Sequence, residues 1–145
     1  MSVNIRKSED GTYKFTQPVL IDTIINDFGL GDTEAEKKIP INAQMLLHHH
    51  LDSEEHDIKI FNYRSVIGKL NYLAQVSRPD ILYAVLRCAR LSHNPCKEHR
   101  EAVLYLARYL KGNKEVGFKF KPDASKSFEV FADKDYCRIW TKKSV

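Results

Sequence analysis

Two carboxylates in the last part of the chain have a spacing that suits metal binding. Asp133 and Asp135 are separated by one residue, so a β-strand would place both on the same face, where they can share one cation weakly. Phosphoryl chemistry through two metal ions needs a larger set of carboxylates, because both ions must be braced against the reacting group. The pair alone therefore predicts no complete metal centre.

The histidines and cysteines suit metal or redox chemistry less well. The consecutive residues His48-His49-His50 would point about 100° apart on a helix and to alternate faces on a strand, which favours a solvated polar loop over a metal site. Cys88, Cys96 and Cys137 are odd in number and lack CxxC spacing. They predict free thiols in a reducing, intracellular compartment, with Cys88 and Cys96 as small core residues. His99, at a predicted helix start, is interpreted as a structural hydrogen-bonding residue.

Positive charge is concentrated in one part of the chain. The net charge is +4, which permits contact with nucleic acid but does not require it. Residues 63–111 carry nine lysines and arginines against three acidic residues, whereas residues 52–57 are acidic. This distribution predicts a basic surface on a helical segment, and the alternative is a set of ordinary solvated helix faces. The nine basic residues are Arg64, Lys69, Arg78, Arg87, Arg90, Lys97, Arg100, Arg108 and Lys111.

The first 30 residues predict a β-hairpin followed by a helix. Val3 and Ile5 alternate with polar residues, as do Tyr13 and Phe15, and Asp10-Gly11 between them suits a tight turn in a hairpin over Val3–Thr16. Thr16 is the predicted N-cap, Pro18 is tolerated in the first helical turn, and Gly29 is a natural stop. The apolar stripe of this helix consists of Leu20, Ile21, Ile24, Ile25 and Phe28. The apolar periodicity is weak over residues 31–60, which predicts a polar linker there.

Three amphipathic helices are predicted between residues 62 and 112. Asn62 is a suitable N-cap, Pro79 and Asn94-Pro95 break the helical pattern, and Gly112 ends it. Three apolar stripes in succession must pack on each other to leave water. The stripes are Tyr63, Val66, Ile67, Leu70, Leu73 and Ala74; then Ile81, Leu82, Val85, Leu86 and Ala89; then Val103, Leu106, Ala107 and Leu110.

The period changes from helical to alternating after Gly112. Val116, Phe118 and Phe120 alternate with other residues, residues 122–125 form a predicted turn, and the alternation resumes over residues 128–132. This pattern predicts a C-terminal strand pair that is an incomplete sheet. The whole chain is therefore predicted to be α+β, with an N-terminal hairpin, an earlier helix, a central three-helix bundle and the strand pair.

An ordered set of motifs resembles a known family. The chain reads YRSVIGKLNYL at residues 63–73, SRPDI at 77–81, a proline and a histidine four apart at Pro95 and His99, and RYLKG at 108–112. The set resembles the reverse transcriptase region of copia-type retrotransposon polyproteins, although Asn113 replaces the threonine that follows RYLKG in that family. Further similarity lies at Val3-Asn4-Ile5, at residues 17–21, and at residues 132–136, which are similar to the opening of the RNase H domain.

The resemblance implies a division of the chain. Residues 1–30 would be the end-of-palm hairpin and helix, 31–60 a polar linker, 61–112 the thumb and connection helices, and 113–145 a truncated start of an RNase H-like domain. Arg64, Lys69, Arg78 and Lys111 become the candidates for contact with the phosphates of a primer–template duplex. For Arg78 the alternative is pairing with Asp80, or a capping role, at the start of a helix.

The resemblance also implies what the chain would not do. The polymerase aspartates of the family belong upstream of Ile5, and only Asp133 matches an RNase H aspartate, where it is expected to be inactive. No catalytic residue, metal site or cofactor is therefore expected, although the intact family enzyme uses Mg²⁺. The expected partners are a nucleic-acid duplex and the upstream polymerase segments, with no membrane. The alternative is a protein-interaction or self-associating segment.

Overall fold

The computed structural model describes residues 2–30, 35–41, 62–123 and 125. The predictions for His48-His49-His50, for the strand at 128–132, and for Asp133, Asp135 and Cys137 lie outside these residues. No helix in the described ranges has the length and apolar character that a membrane crossing requires.

The predicted N-terminal hairpin is confirmed. Strand β1 spans Asn4–Lys7 and strand β2 spans Tyr13–Thr16, and the two pair antiparallel. The turn closes with the amide of Ser8 donating to the carbonyl of Thr12 at 2.8 Å, and Gly11 takes a φ of 82°. A positive φ is favourable for glycine, so the turn forms where the sequence predicts it.

The strand that follows the helices pairs with the hairpin. Strand β3, Phe118–Phe120, lies antiparallel to β2, with Phe118 opposite Phe15 and Phe120 opposite Tyr13. The sheet order is β1-β2-β3. Gly117 permits this approach, because a Cβ atom at that position would lie 2.1 Å from the backbone oxygen of Phe15. The alternating pattern predicts the strand but not this partner.

Helix α1 spans Pro18–Asp27. The predicted N-cap at Thr16 is wrong by one residue: Gln17 is the N-cap, and its side chain makes no capping hydrogen bond. Thr16 instead ends β2, where it is buried. The predicted stop is confirmed, because Gly29 takes a φ of 61°.

The central helices begin and end close to the predicted breaks. Helix α2 spans Tyr63–Val76, a 3₁₀ turn spans Pro79–Ile81, helix α3 spans Leu82–Ala89, and helix α4 spans Lys97–Gly112. The predicted cap is confirmed, since the side chain of Asn62 accepts a hydrogen bond from the amide of Ser65 at 3.1 Å.

The predicted buried faces of α2 and α4 are confirmed, but that of α3 is partly wrong. Leu86 is 48% exposed, and the residues buried on α3 are Ala84, Val85 and Cys88. The 3₁₀ turn before α3 advances by three residues per turn rather than 3.6, which shifts the phase of the helix relative to Ile81. The small side chains of Ala84 and Cys88 then face the neighbouring helices.

One contiguous core joins helices α1, α2, α3 and α4. Helix α1 packs on α2 and α4, and α3 packs on the same two helices. The core cluster draws buried residues from every helix, among them Ile24 of α1, Leu70 of α2, Val85 of α3 and Leu106 of α4. The N-terminal helix and the three later helices therefore share their buried surface.

Candidate nucleic-acid interface

Two of the predicted phosphate contacts lie on opposite sides of α2. Arg64 is exposed in the first helical turn, and its Nε donates to the backbone oxygen of Ser92 at 3.0 Å. The Nζ atom of Lys69 lies 2.6 Å from the Oδ2 atom of Asp27, at the end of α1. A separation of five residues rotates the two side chains by about 140° around the helix. Arg64 therefore lies beside the end of α3, and Lys69 lies beside α1 with its charge partly neutralised.

Lys111 lies in the last turn of α4, where a cation interacts favourably with the helix dipole. Its side chain is half-buried. Lys111 is thus held at a helix end, whereas Arg64 projects from a helix start.

The structure contradicts the assignment of Arg78 to phosphate contact and supports its alternative role. The side chain is fully buried, at 0% exposure. Its Nε and one terminal nitrogen donate to the two carboxylate oxygens of Asp80 at 2.9 and 2.8 Å, and the other terminal nitrogen donates to the backbone oxygen of Asn113 at 2.9 Å. Arg78 therefore ties the end of α2 to the end of α4 and is out of reach of a duplex.

Tyr109 completes the cluster around Arg78. Its ring lies 5.5 Å from the Arg78 guanidinium carbon, and its hydroxyl donates to Asp80 Oδ2 at 2.8 Å. Burial raises the pKa of Asp80, but the hydrogen bonds from Arg78 and Tyr109 and the charge of Arg78 outweigh it, so the net pKa is lowered. The pKa of Tyr109 is raised by burial and by its bond to Asp80. The cluster therefore favours the ionised carboxylate of Asp80 and the neutral phenol of Tyr109.

The cysteines and His99 have structural positions. Cys96 is the N-cap of α4 and forms a reciprocal capping box with His99, whose Nδ1 accepts from the Cys96 amide at 3.0 Å. The prediction of His99 as a structural hydrogen-bonding residue is confirmed. Cys88 is buried as predicted, and burial raises the pKa of its thiol to about 11. Cys96 is half-buried at a helix start, so the prediction that it is a core residue is wrong.

Within the described ranges, no group of three or more histidine, cysteine or acidic side chains is arranged to hold a metal ion. The carboxylates Asp133 and Asp135 lie outside those ranges.

A basic row on the sheet has no counterpart in the sequence-based predictions. Arg6 lies opposite Lys14, and Lys14 lies opposite Lys119. Cross-strand partners project from the same face of a sheet, so the three cations share one face. Alternation within the hairpin could have signalled Arg6 and Lys14, but no local pattern indicates that residue 119 lies beside residue 14.

Comparison with curated proteins finds retrovirus-related Pol polyproteins among the relatives of this chain. The chain is 39% identical over 74 residues to the retrovirus-related Pol polyprotein from transposon RE1 of Arabidopsis thaliana, covering 51% of this chain and 5% of that protein. It is 36% identical over 74 residues to the polyprotein from transposon RE2 of the same plant, with the same coverage. It is 48% identical over 50 residues to the polyprotein from transposon TNT 1-94 of Nicotiana tabacum, covering 34% of this chain and 4% of the relative.

The chain thus spans about one twentieth of the length of these relatives. No protein-family model matches the chain. No solved structure matches it either. Over about half of its length or less, the chain is thus similar to a short segment of retrovirus-related Pol polyproteins from copia-type transposons, which supports a retrotransposon polyprotein fragment.

Proposed function

We propose that this chain is a non-catalytic segment of a transposon reverse transcriptase that binds a primer–template duplex weakly and without sequence preference. The observation that carries the proposal is the similarity to Pol polyproteins over about half of the chain. The motifs of the thumb and connection region, from YRSVIGKLNYL to RYLKG, lie on α2, the 3₁₀ turn and α4. Residues 61–112 would then supply the binding surface.

The positions of three cations on the helices support phosphate contact of modest strength. Arg64 is exposed, and Lys111 is half-buried at the end of α4. Lys69 is already paired with Asp27, so it would contribute less to a duplex. Binding through a few cations to phosphates gives affinity that falls with salt and does not depend on base sequence.

The absence of catalysis is part of the same proposal. The sequence has no two adjacent aspartates of the kind that the family uses for polymerisation. Two-metal phosphoryl transfer needs clustered acidic ligands. Metal-dependent primer extension or cleavage of the RNA strand of a hybrid by the purified chain would contradict this part of the proposal.

Duplex binding is tested by fluorescence anisotropy with a short labelled RNA–DNA duplex across a series of salt concentrations. We expect a measurable affinity at low salt, and for Arg64→Gln and Lys111→Gln each a salt slope reduced by about 1. Lys38→Gln, an exposed lysine outside the helices, is the matched control and should leave the slope unchanged. Undetectable binding at the lowest salt would overturn the proposal.

Self-association is a second candidate, favoured by an exposed apolar pair on α3. Tyr83 is 67% exposed, and Leu86, one turn later, is 48% exposed. Large apolar side chains on one surface mark interaction sites when they are contiguous. Size-exclusion chromatography tests for a dimer that resists salt. Self-association is favoured over duplex binding if the dimer dissociates in Tyr83→Lys/Leu86→Lys, persists in the control Tyr72→Lys, and the chain has no affinity for duplex.

A further inference from the structure

We propose that the basic row of the sheet, Arg6, Lys14 and Lys119, is a second contact surface for the phosphate backbone of nucleic acid. The ligand class rests on the proposed function, but the surface is separate from the helices and includes none of the residues predicted for binding. Among the described elements, the strands contact mainly one another and have no extensive packing with α1 to α4. The two surfaces can therefore be tested independently.

Strand pairing brings the three cations together. The register places Arg6 opposite Lys14 across β1 and β2, and Lys14 opposite Lys119 across β2 and β3. Neighbouring strands lie about 4.8 Å apart, so the three Cα positions form a line of about 10 Å across the sheet. Gly117 holds β3 in this place by letting its backbone approach Phe15.

Among the described residues, no acidic side chain forms an ion pair with the basic row. No residue of the three strands is acidic, and among the described residues Arg6, Lys14 and Lys119 form no ion pair closer than 4.0 Å. The neighbouring lysines differ in this respect: Lys7 lies over the ring of Tyr13 at 5.5 Å, and Lys121 lies 3.6 Å from Asp10. Like charges placed directly opposite each other destabilise a sheet. A polyanion would relieve that repulsion.

The distribution of apolar residues favours nucleic acid over a lipid surface as the ligand. Ile5, Phe15 and Phe118 occupy the opposite face of the sheet, where the rings of Phe15 and Phe118 lie 6.1 Å apart. A protein element that binds a bilayer surface presents apolar side chains to the acyl region beside its cations. The basic row has polar neighbours, Asn4 and Thr16, on its own face. Phosphodiester groups require only the charges.

The test compares two variants of equal net charge. In Arg6→Gln/Lys14→Gln/Lys119→Gln the row is neutralised, and in Lys37→Gln/Lys38→Gln/Lys114→Gln three cations outside both the sheet and residues 61–112 are neutralised. Both are titrated against the labelled RNA–DNA duplex over a salt series, with circular dichroism to confirm folding. Each lost phosphate contact lowers the salt slope by about 0.9, so we expect the row variant to lose about 2 to 3 in slope and the control to keep the slope of the parent chain.

The outcomes separate this inference from the proposed function. A row variant that binds as the control does, while Arg64→Gln and Lys111→Gln weaken binding, overturns the basic row and leaves the helical surface standing. A row variant that binds weakly, while the helix variants bind normally, supports the row and overturns the helical surface. Binding to phosphatidylserine vesicles that is lost in the row variant, with duplex affinity unchanged, would also overturn the inference.

Discussion

Arg78 is a fully buried cation, and each neighbour in its cluster interacts favourably with its positive charge. Asp80 binds it through two oxygens, Asn113 supplies a carbonyl, and the ring of Tyr109 lies against the guanidinium. Arginine suits this position because its planar fork binds both oxygens of one carboxylate and a carbonyl on another side, a geometry that the compact ammonium of lysine does not reproduce. Burying such a charge is unfavourable unless it is paired and hydrogen-bonded, and here both conditions are met.

Replacing Arg78 should therefore destabilise the fold rather than weaken binding directly. Arg78→Met keeps most of the side-chain volume but removes three hydrogen bonds and leaves the Asn113 carbonyl without this donor. We expect a loss of about 3 kcal/mol in the free energy of unfolding, measured by urea denaturation followed by circular dichroism. Arg64→Gln, at an exposed arginine whose Nε bonds to the Ser92 carbonyl, is the control and should cost less than about 1 kcal/mol. Equal losses in the two variants would show that the cluster is not structural.

The same cluster predicts a dependence of stability on pH. Because the pKa of Asp80 is lowered in the folded state, its contribution is present above the unfolded value of about 3.9 and is lost as the pH falls through the folded value. Asp80→Asn lacks this contribution. The difference in urea midpoint between the parent chain and Asp80→Asn should be largest near neutral pH and shrink below about pH 4. A difference that is constant from neutral to acidic pH would contradict the charge-based account.

At the scale of elements, the sheet depends on the close approach of β3 to β2. The exposed residues of β1 and β3 contribute little buried surface, so the strand pairing itself and the contact of Phe15 with Phe118 must hold β3 in place. Gly117 is the residue that makes this geometry sterically possible. Its role is positional, because any side chain there would meet backbone atoms that cannot move independently.

Gly117→Ala should separate β3 from β2. The new Cβ atom would lie 2.1 Å from the Phe15 oxygen and 2.7 Å from Thr16 Cγ2, so we expect amide protection at Phe118–Phe120 to be lost in hydrogen exchange, with a destabilisation of about 1 to 3 kcal/mol. Gly68→Ala is the matched control: Gly68 lies inside α2 with nothing within 4 Å of the position that a methyl group would occupy, and the change should stabilise by about 1 kcal/mol. Unchanged protection of β3 in Gly117→Ala would contradict the steric account.

At the scale of the whole molecule, residues that are distant in the chain share one core. Helix α1 packs on α4 although the two are separated by about 70 positions along the chain, and Lys114 pairs with Asp22 of α1. The division at residue 31 that the family resemblance implies stays a prediction. The shared core nevertheless indicates that α1 and the later helices unfold together.

A core substitution in α1 tests that coupling. Ile24 is fully buried, and Ile24→Ala should lower the free energy of unfolding by about 2 to 5 kcal/mol and reduce amide protection in α4 by the same amount as in α1. Val19→Ala, at a residue that is 63% exposed on the same helix, should change either quantity little. Protection that falls in α1 alone would mean that the helices unfold as separate units.

The sequence by itself determined the features that depend on neighbours a few residues apart. The hairpin around Gly11, the cap at Asn62, the stop at Gly29 and the buried faces of α2 and α4 follow from turn chemistry, capping and the helical period. The resemblance to the transposon polyproteins also came from motifs in local order. Each of these signals depends on residues within one helix, strand or turn, so all of the residues involved can be read from a short stretch of sequence.

Only the tertiary structure decided the features that join distant positions. It buried Arg78 under Tyr109 and Asn113, turned Leu86 of α3 toward solvent after a 3₁₀ turn, and paired β3 with β2. That last pairing assembled the basic row from residues 6, 14 and 119. The reason is physical. Residues a hundred positions apart pair only after many possible partners have competed for the same buried surface and backbone hydrogen bonds. A local sequence period does not specify which partner wins.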